Sequence, residues 1–233
     1  MSGENKYDAK KEWNSLFLNA GMSFPSEYVI RILKGSFPRL NLDKAAFRGS
    51  RFCDAGCGDG RNLLLAKTCG FDTFGVEISE EIVAKVRSNL SKAGIEQVDV
   101  RVGSNSKIPF GDEFFDYLLS WNACYYMGGV LDFDAYVREF ARVLRKDGYL
   151  ILSIPKKSCF IFKTSEPAGK EGYRIIRNDP FKVRDGEILR MFNDEKEIEA
   201  VFSPFFKDFI FASIHDDCFG YEYHWHLAVC KRK

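Results

Sequence analysis

Two carboxylates and three glycines form the most telling chemical group in the sequence. In the run RFCDAGCGDGRNLLLAKTCGFDTFGVE, Asp54 is followed by Gly56, Gly58 and Gly60, and Glu77 closes the segment. Glycines at alternate positions remove Cβ atoms where the chain must bend sharply and where a ligand lies against the main chain. Asp54 changes which ligand suits such a turn, because a carboxylate there disfavours a pyrophosphate and favours a cation. Cys53 and Cys57 read as small residues lining the tight turn rather than as a metal pair.

A second group lies near the other end of the chain. The three histidines are His215, His224 and His226, and Asp216 and Asp217 follow the first. Strand alternation sets His224 and His226 on one face and Tyr223 and Trp225 on the other. These residues lack the convergent third ligand and spacing of a metal site, so no metal is expected. His215 and His224 are candidates for acid/base chemistry by position alone, and Tyr125, in the run SWNACYY, is the third candidate.

These groups must be held by a regular scaffold, and composition limits its kind. At 233 residues, with 45% hydrophobic side chains, the chain can bury one core and is read as one domain. Lys plus Arg is 34 and Asp plus Glu is 33, so a net charge of +1 gives no overall pull toward nucleic acid or a membrane surface. The start, MSGENKYDAKKEW, carries no apolar run of signal-peptide length, and no later run nears the roughly 20 apolar residues that span a bilayer. Seven cysteines without a CxxC pair suit free thiols in a reducing compartment. A soluble, cytoplasmic protein is expected.

Periodicity places the elements. Residues 1–49 carry two amphipathic helices: YDAKKEWNSLFL from Tyr7, and SEYVIRILKG, with Val29, Ile30 and Leu33 on one face. They form either a lid over the turn or a pack against the sheet. Residues 50–155 alternate strand and helix. The strand before Asp54 leads through the turn to the helix of Leu63, Leu64 and Ala66, then to the strand ending at Glu77. Next come a helix capped by Ser79, strands over 98–102 and 115–121, a helix over 134–144 and the strand YLILSIP. Residues 156–192 read as an insertion whose runs YRIIR and EILRMF form a hairpin. Residues 193–233 supply a helix and two strands joined by HDDCFG, too short for a parallel crossover, so those strands pair antiparallel. The alternation predicts an α/β, doubly wound, Rossmann-like sheet with helices on both faces.

At this point DAGCGDG, GVE, IPFGDEFFDYLLS and REFARVLRKDGYLILSIP together resemble the class I S-adenosylmethionine-dependent methyltransferases, over roughly residues 50–155. The resemblance implies a seven-stranded sheet in the order 3-2-1-4-5-7-6, strand 7 antiparallel, and S-adenosylmethionine as cofactor. It implies that Asp54 serves the cofactor's amino group, that Gly56, Cys57, Gly58 and Gly60 form its cradle, and that Glu77 accepts both ribose hydroxyls. Ile78 would lie near the adenine edge. Where the family usually carries an acid for the adenine amine, this chain has Ser104 and Asn105, which can accept the same hydrogen bond. Ser120, Trp121 and Asn122 fall at the mouth, where donor and acceptor would meet. They do not form the Asn/Asp-Pro-Pro-Tyr type of sequence tied to nucleic-acid base methylation, and no basic arm suggests such a partner.

The acceptor is expected to be a small molecule. Between Lys156 and Arg190 there are nine basic residues against five acids, which suggests an anionic metabolite, while a solvated charged face explains the same count. The N-terminal block is also similar to bacterial small-molecule methyltransferases, some linked to surface polysaccharides. Two alternatives stay open on sequence: a nicotinamide-dependent oxidoreductase, which the G-C-G-D-G spacing disfavours, and a module that binds the cofactor without chemistry.

Overall fold

The structure, a computed structural model, describes residues 8–40, 42–96 and 98–233; Tyr7, read above as the start of the first helix, lies outside them. The first half runs α1 (Ala9–Asn19), α2 (Glu27–Lys34), β1 (Arg51–Ala55), α3 (Arg61–Thr68), β2 (Asp72–Glu77), α4 (Glu80–Lys92), β3 (Asp99–Val102) and β4 (Phe115–Ser120). The second half runs α5 (Phe133–Val143), β5 (Leu144–Pro155), the short strands β6 (Glu166–Pro167), β7 (Tyr173–Ile175) and β8 (Ile188–Arg190), then α6 (Glu195–Phe202), β9 (Phe206–Cys218) and β10 (Tyr221–Arg232).

Seven strands form one sheet in the order β3-β2-β1-β4-β5-β10-β9. Strands β1 to β5 are parallel, whereas β10 runs antiparallel to both β5 and β9. With β9 and β10 as the sixth and seventh strands, this is the expected order and reversal. The central strands are apolar on both sides because both faces are covered. On one face Leu63, Ile82, Val83, Val86 and Leu90 pack over Val100. The larger cluster includes Phe47, Phe52, Phe115, Phe140 and Leu150.

Local sequence explains most boundaries. The Ser79 side chain accepts from the Ile82 amide, and Asp132 and Asp194 cap α5 and α6 in the same way. Between β9 and β10 the chain reverses at Phe219 and Gly220, whose φ values of 49° and 87° fit a two-residue turn of type I′ sign.

That turn shortens the predicted link: His215, Asp216, Asp217 and Cys218 are strand residues, not part of a loop, because β9 pairs with β10 as far as Cys218. In α2 the buried positions are Val29, Ile32 and Leu33, while Ile30 is 36% exposed, so the apolar face is rotated from the expected one. The insertion carries its two expected strands, β7 and β8, paired antiparallel, and adds β6 on the outer side of β7. Among the described residues no helix is long and apolar enough to cross a membrane.

Candidate active site

The β1–α3 turn is held by its own main chain. The amides of Gly56 and Cys57 both donate to the Val76 carbonyl, at 2.9 and 3.2 Å, which ties the turn to the end of β2. Gly56 and Gly58 have φ of 84° and 59°. A Cβ on Gly56 would stand 2.6 Å from the Ala123 Cβ, so a side chain there would collide with the loop after β4. Gly60 differs. It caps α3 at a left-handed φ of 90°, and a Cβ there would also crowd Val86 at 3.1 Å, so the cap conformation and packing against α4 call for this glycine and it does not line the cavity.

Above this turn opens a cavity of about 550 Å³. Gly56, Cys57, Gly58, Glu77, Ile78, Ser104 and Asn105 line one half, and Trp121, Asn122 and Tyr125 carry the wall onward. Glu77 is 6% exposed, and its two oxygens accept from the amides of Gly58 and Ile78, each at 2.8 Å. Each oxygen keeps acceptor capacity. Burial raises its pKa and the two amides act against that rise.

Asp54 lies beneath the turn rather than on the cavity wall. It is 1% exposed, and neither carboxylate oxygen meets a described residue in good hydrogen-bond geometry; the Arg61 charge and the nearby Asn62 amide only partly offset its burial. Burial first, and the Glu77 carboxylate second, push its pKa well above the ordinary range. An unpaired buried acid is costly in the protein alone and is relieved by a cation nearby.

The other half of the cavity is aromatic. Tyr125 and Tyr126 stack at 4.7 Å between centroids, and Trp13 of α1 meets Tyr126 edge-on at 5.2 Å. Phe160 packs on Tyr223 at 4.9 Å, and Tyr223 stacks on Trp225 at 5.7 Å. Alternation along β10 sets these two rings on one face, as expected, and that face is the one that lines the cavity. His224 and His226 therefore do not line it.

The sequence candidates for a base are thus displaced. His215 accompanies Asp216 and Asp217 in a neighbouring groove of about 790 Å³, which meets the cavity at Trp121, Asn122, Phe181, Tyr223 and Trp225. There the His215 Nε2 lies 2.8 Å from the Lys156 ammonium; burial, and then that charge, lower its pKa. His224 is held between Ser158 and Asp217, at 3.0 and 3.2 Å. Tyr125 does line the cavity, but burial drives its hydroxyl pKa well above 10, so it stays protonated and can donate. Ser120 sits fully buried behind the wall, 3.4 Å from both the Ala55 carbonyl and Asn105 Oδ1, because β4 points it inward. Among the described residues no group of three or more His, Cys, Asp or Glu side chains could hold a metal ion.

The family model described as "Methyltransferase domain" matches residues 53–152. Among curated proteins the chain is 31% identical over 102 residues to the uncharacterized methyltransferase YcgJ of Bacillus subtilis, covering 44% of this chain and 39% of that protein. It is 26% identical over 146 residues to a probable S-adenosylmethionine-dependent methyltransferase of Mycolicibacterium smegmatis, covering 59% and 54%. The chain thus spans about half or less of these curated relatives. A solved SAM-dependent methyltransferase from Methanosarcina mazei has the same fold at a TM-score of 0.64 and 18% identity, over 90% of this chain and 98% of that one. Residues 53–152 thus match the methyltransferase-domain family, and the rest of the chain shares the fold of solved S-adenosylmethionine-dependent methyltransferases.

The methyltransferase cofactor fits what surrounds the turn. S-adenosylmethionine carries an ammonium and a sulfonium, and this turn offers an unpartnered buried carboxylate with a second acid on the cavity wall. Two contributors escaped the sequence pattern. Asp59, inside the glycine run, accepts from the amide and hydroxyl of Ser23, both at 2.8 Å, and so binds the segment after α1 to the turn. Phe17, on the helix read above as either a lid or a pack against the sheet, lies over Gly58, within 2.9 Å of where a Cβ would stand. Ser153, the second, accepts from the Asn122 amide at 2.7 Å and donates to its Oδ1 at 2.8 Å, fixing Asn122 at a φ of 55°. The acid at position 59 was visible in the sequence; its partner, 36 residues earlier, was not.

Proposed function

We propose that the chain transfers the methyl group of S-adenosylmethionine to a small-molecule acceptor, an anionic metabolite or surface-sugar precursor, held in the aromatic half of the cavity. The observation that carries this reading is that one continuous cavity joins the Gly56–Glu77 wall to a chamber of tyrosine, phenylalanine and tryptophan rings. When bound, the cofactor supplies an already activated methyl group on a sulfonium.

The chain's own residues then have limited tasks. Asp54 lies where its charge favours the cofactor's cationic end, and Glu77 presents lone pairs to the ribose hydroxyls. Ser104 and Asn105 line the adenine side. Trp121 and Tyr125 border the junction where the nucleophile must stand in line with the transferred methyl group, and holding that geometry is the main catalytic requirement. The Tyr125 hydroxyl orients an acceptor oxygen as a donor. Helix α1, fixed by a 2.6 Å hydrogen bond from Ser79 to Asn14 and followed by a segment that Asp59 holds at Ser23, serves as a lid that keeps water from the junction. Seven free cysteines support a reducing, cytoplasmic setting.

Incubation with methyl-labelled cofactor and a fractionated metabolite pool tests this function. Label is expected in one small-molecule fraction with the wild type and not with Asp54→Asn; label confined to unreacted cofactor across the whole pool contradicts it.

A further inference from the structure

We propose that Arg184 is the acceptor-orienting cation and that the acceptor is a flat monoanion, an aromatic or conjugated carboxylate; this deepens, and rests on, the methyl-transfer function above. Of the nine bases in the insertion, Arg184 alone lines the cavity. Others are spent elsewhere: Lys163 pairs with Glu222, Arg177 with Glu166 and Arg190 with Glu197.

The Arg184 guanidinium is mounted on two edges. Its Nη1 donates to both oxygens of Asp179, at 3.1 and 3.2 Å, and its Nε donates to the Tyr126 hydroxyl at 2.8 Å. Asp179 is itself locked: its side chain is fully buried, and Oδ2 accepts from the amides of Val183 and Arg184 at 3.0 and 3.1 Å. The remaining nitrogen, Nη2, has no partner among the described residues. A guanidinium fixed in plane with one uncommitted donor on a cavity wall is a preorganised receptor for an anionic oxygen.

The rest of the chamber selects the kind of anion. Tyr125, Phe160, Phe181, Tyr223 and Trp225 offer ring faces and edges, which suit a flat apolar body. Asp179 already balances most of the guanidinium charge, and the Glu187 carboxyl, buried on the same wall, accepts from the amides of Gly128 and Ile188. A dianionic phosphate would meet too little positive charge there. A carboxylate brings one.

All three tryptophans of the chain, Trp13, Trp121 and Trp225, line the cavity, so intrinsic fluorescence reports its occupancy. Protein saturated with S-adenosylhomocysteine is titrated with 4-hydroxybenzoate, 4-hydroxybenzamide and phenyl phosphate. The acid is expected to bind at least about tenfold tighter than the amide or the phosphate, the size of one charge-assisted hydrogen bond. Arg184→Gln is expected to abolish that preference. Tyr126→Phe, which keeps the Asp179 pair and tests the assignment even if the first variant folds poorly, lowers it about threefold. S-adenosylhomocysteine affinity stays within about twofold in both variants, since neither residue lies on the glycine-turn side. The assignment is overturned if amide or phosphate matches the acid, if the preference survives both variants, or if no probe changes the fluorescence. Failure of the wild type to bind S-adenosylhomocysteine overturns the methyl-donor reading itself, and this assignment with it.

Discussion

The two walls of the cavity are built on opposite principles. The donor wall comes mainly from one stretch of chain, residues 51–78, with Ser104 and Asn105 added, and presents largely main chain: a turn without Cβ atoms at its bends and a carboxylate with amide partners, over the buried Asp54 beneath it. The acceptor wall is gathered from α1, the loop after β4, the insertion and β10, and presents rings. A shared cofactor needs the same backbone contacts in every relative, so that wall is local and patterned. An acceptor is recognised by side chains brought together only by folding.

The sharpest way to break this contrast is to damage one wall and look for an effect on the other. Glu77→Ala is expected to weaken S-adenosylhomocysteine binding at least about 100-fold in calorimetry, two lost charged hydrogen bonds being worth about 3 kcal/mol or more. Asp54→Asn should have a similar effect on binding and leave the unliganded protein's melting temperature at pH 7 unchanged or higher, because an unpartnered buried charge is removed. A fall in both affinity and melting temperature would make Asp54 a structural residue. On the acceptor wall, Phe181→Ala is expected to raise the acceptor KM about fivefold, the scale of a lost aromatic contact, with S-adenosylhomocysteine affinity unchanged. Equal losses on both sides would show that the walls are not independent.

The donor wall also carries a pH signature. The Asp54 pKa is raised in the unliganded protein, so the folded state holds its proton more tightly than the unfolded chain. Stability from this group is therefore greatest at low pH and declines as pH rises from the ordinary carboxyl pKa of about 3.9 toward the raised value. Cofactor affinity follows the opposite sign, since an ammonium favours the ionised acid. Binding of S-adenosylhomocysteine is expected to tighten as pH rises through that window and then level off. Asp54→Asn should flatten most of the slope; the raised Glu77 pKa accounts for any remainder.

The smallest expected effect lies in the sheet behind both walls. Thr73 of β2 is 5% exposed and its hydroxyl has no partner among the described residues, so Thr73→Val should stabilise the fold by about 1 kcal/mol in urea unfolding with no change in binding.

The same contrast explains how much was legible in the sequence. The doubly wound sheet followed from alternation, the antiparallel closing pair from the short link before β10 and the strand order from family resemblance alone, and Gly56, Gly58 and Glu77 stand on the cavity wall. Gly60 shows the limit: it belongs to the pattern, but Val86 and Leu90 of α4 fill the space beside it. His215 and His224 attracted attention as titratable groups, and strand alternation, which had already set Tyr223 and Trp225 on the other face, was the better guide. Arg184 was one base among nine in a count. Its mounting by Asp179 is a local loop contact, but its partner Tyr126 lies 58 positions away, and no spacing rule reports that meeting.

Calorimetric titration of the purified chain with S-adenosylhomocysteine and, separately, with NAD tests the central claim most directly. One S-adenosylhomocysteine per chain, bound by the wild type, lost in Glu77→Ala and unmatched by NAD, is the predicted result. Binding of NAD with none of S-adenosylhomocysteine, or affinity that survives Glu77→Ala intact, would contradict it.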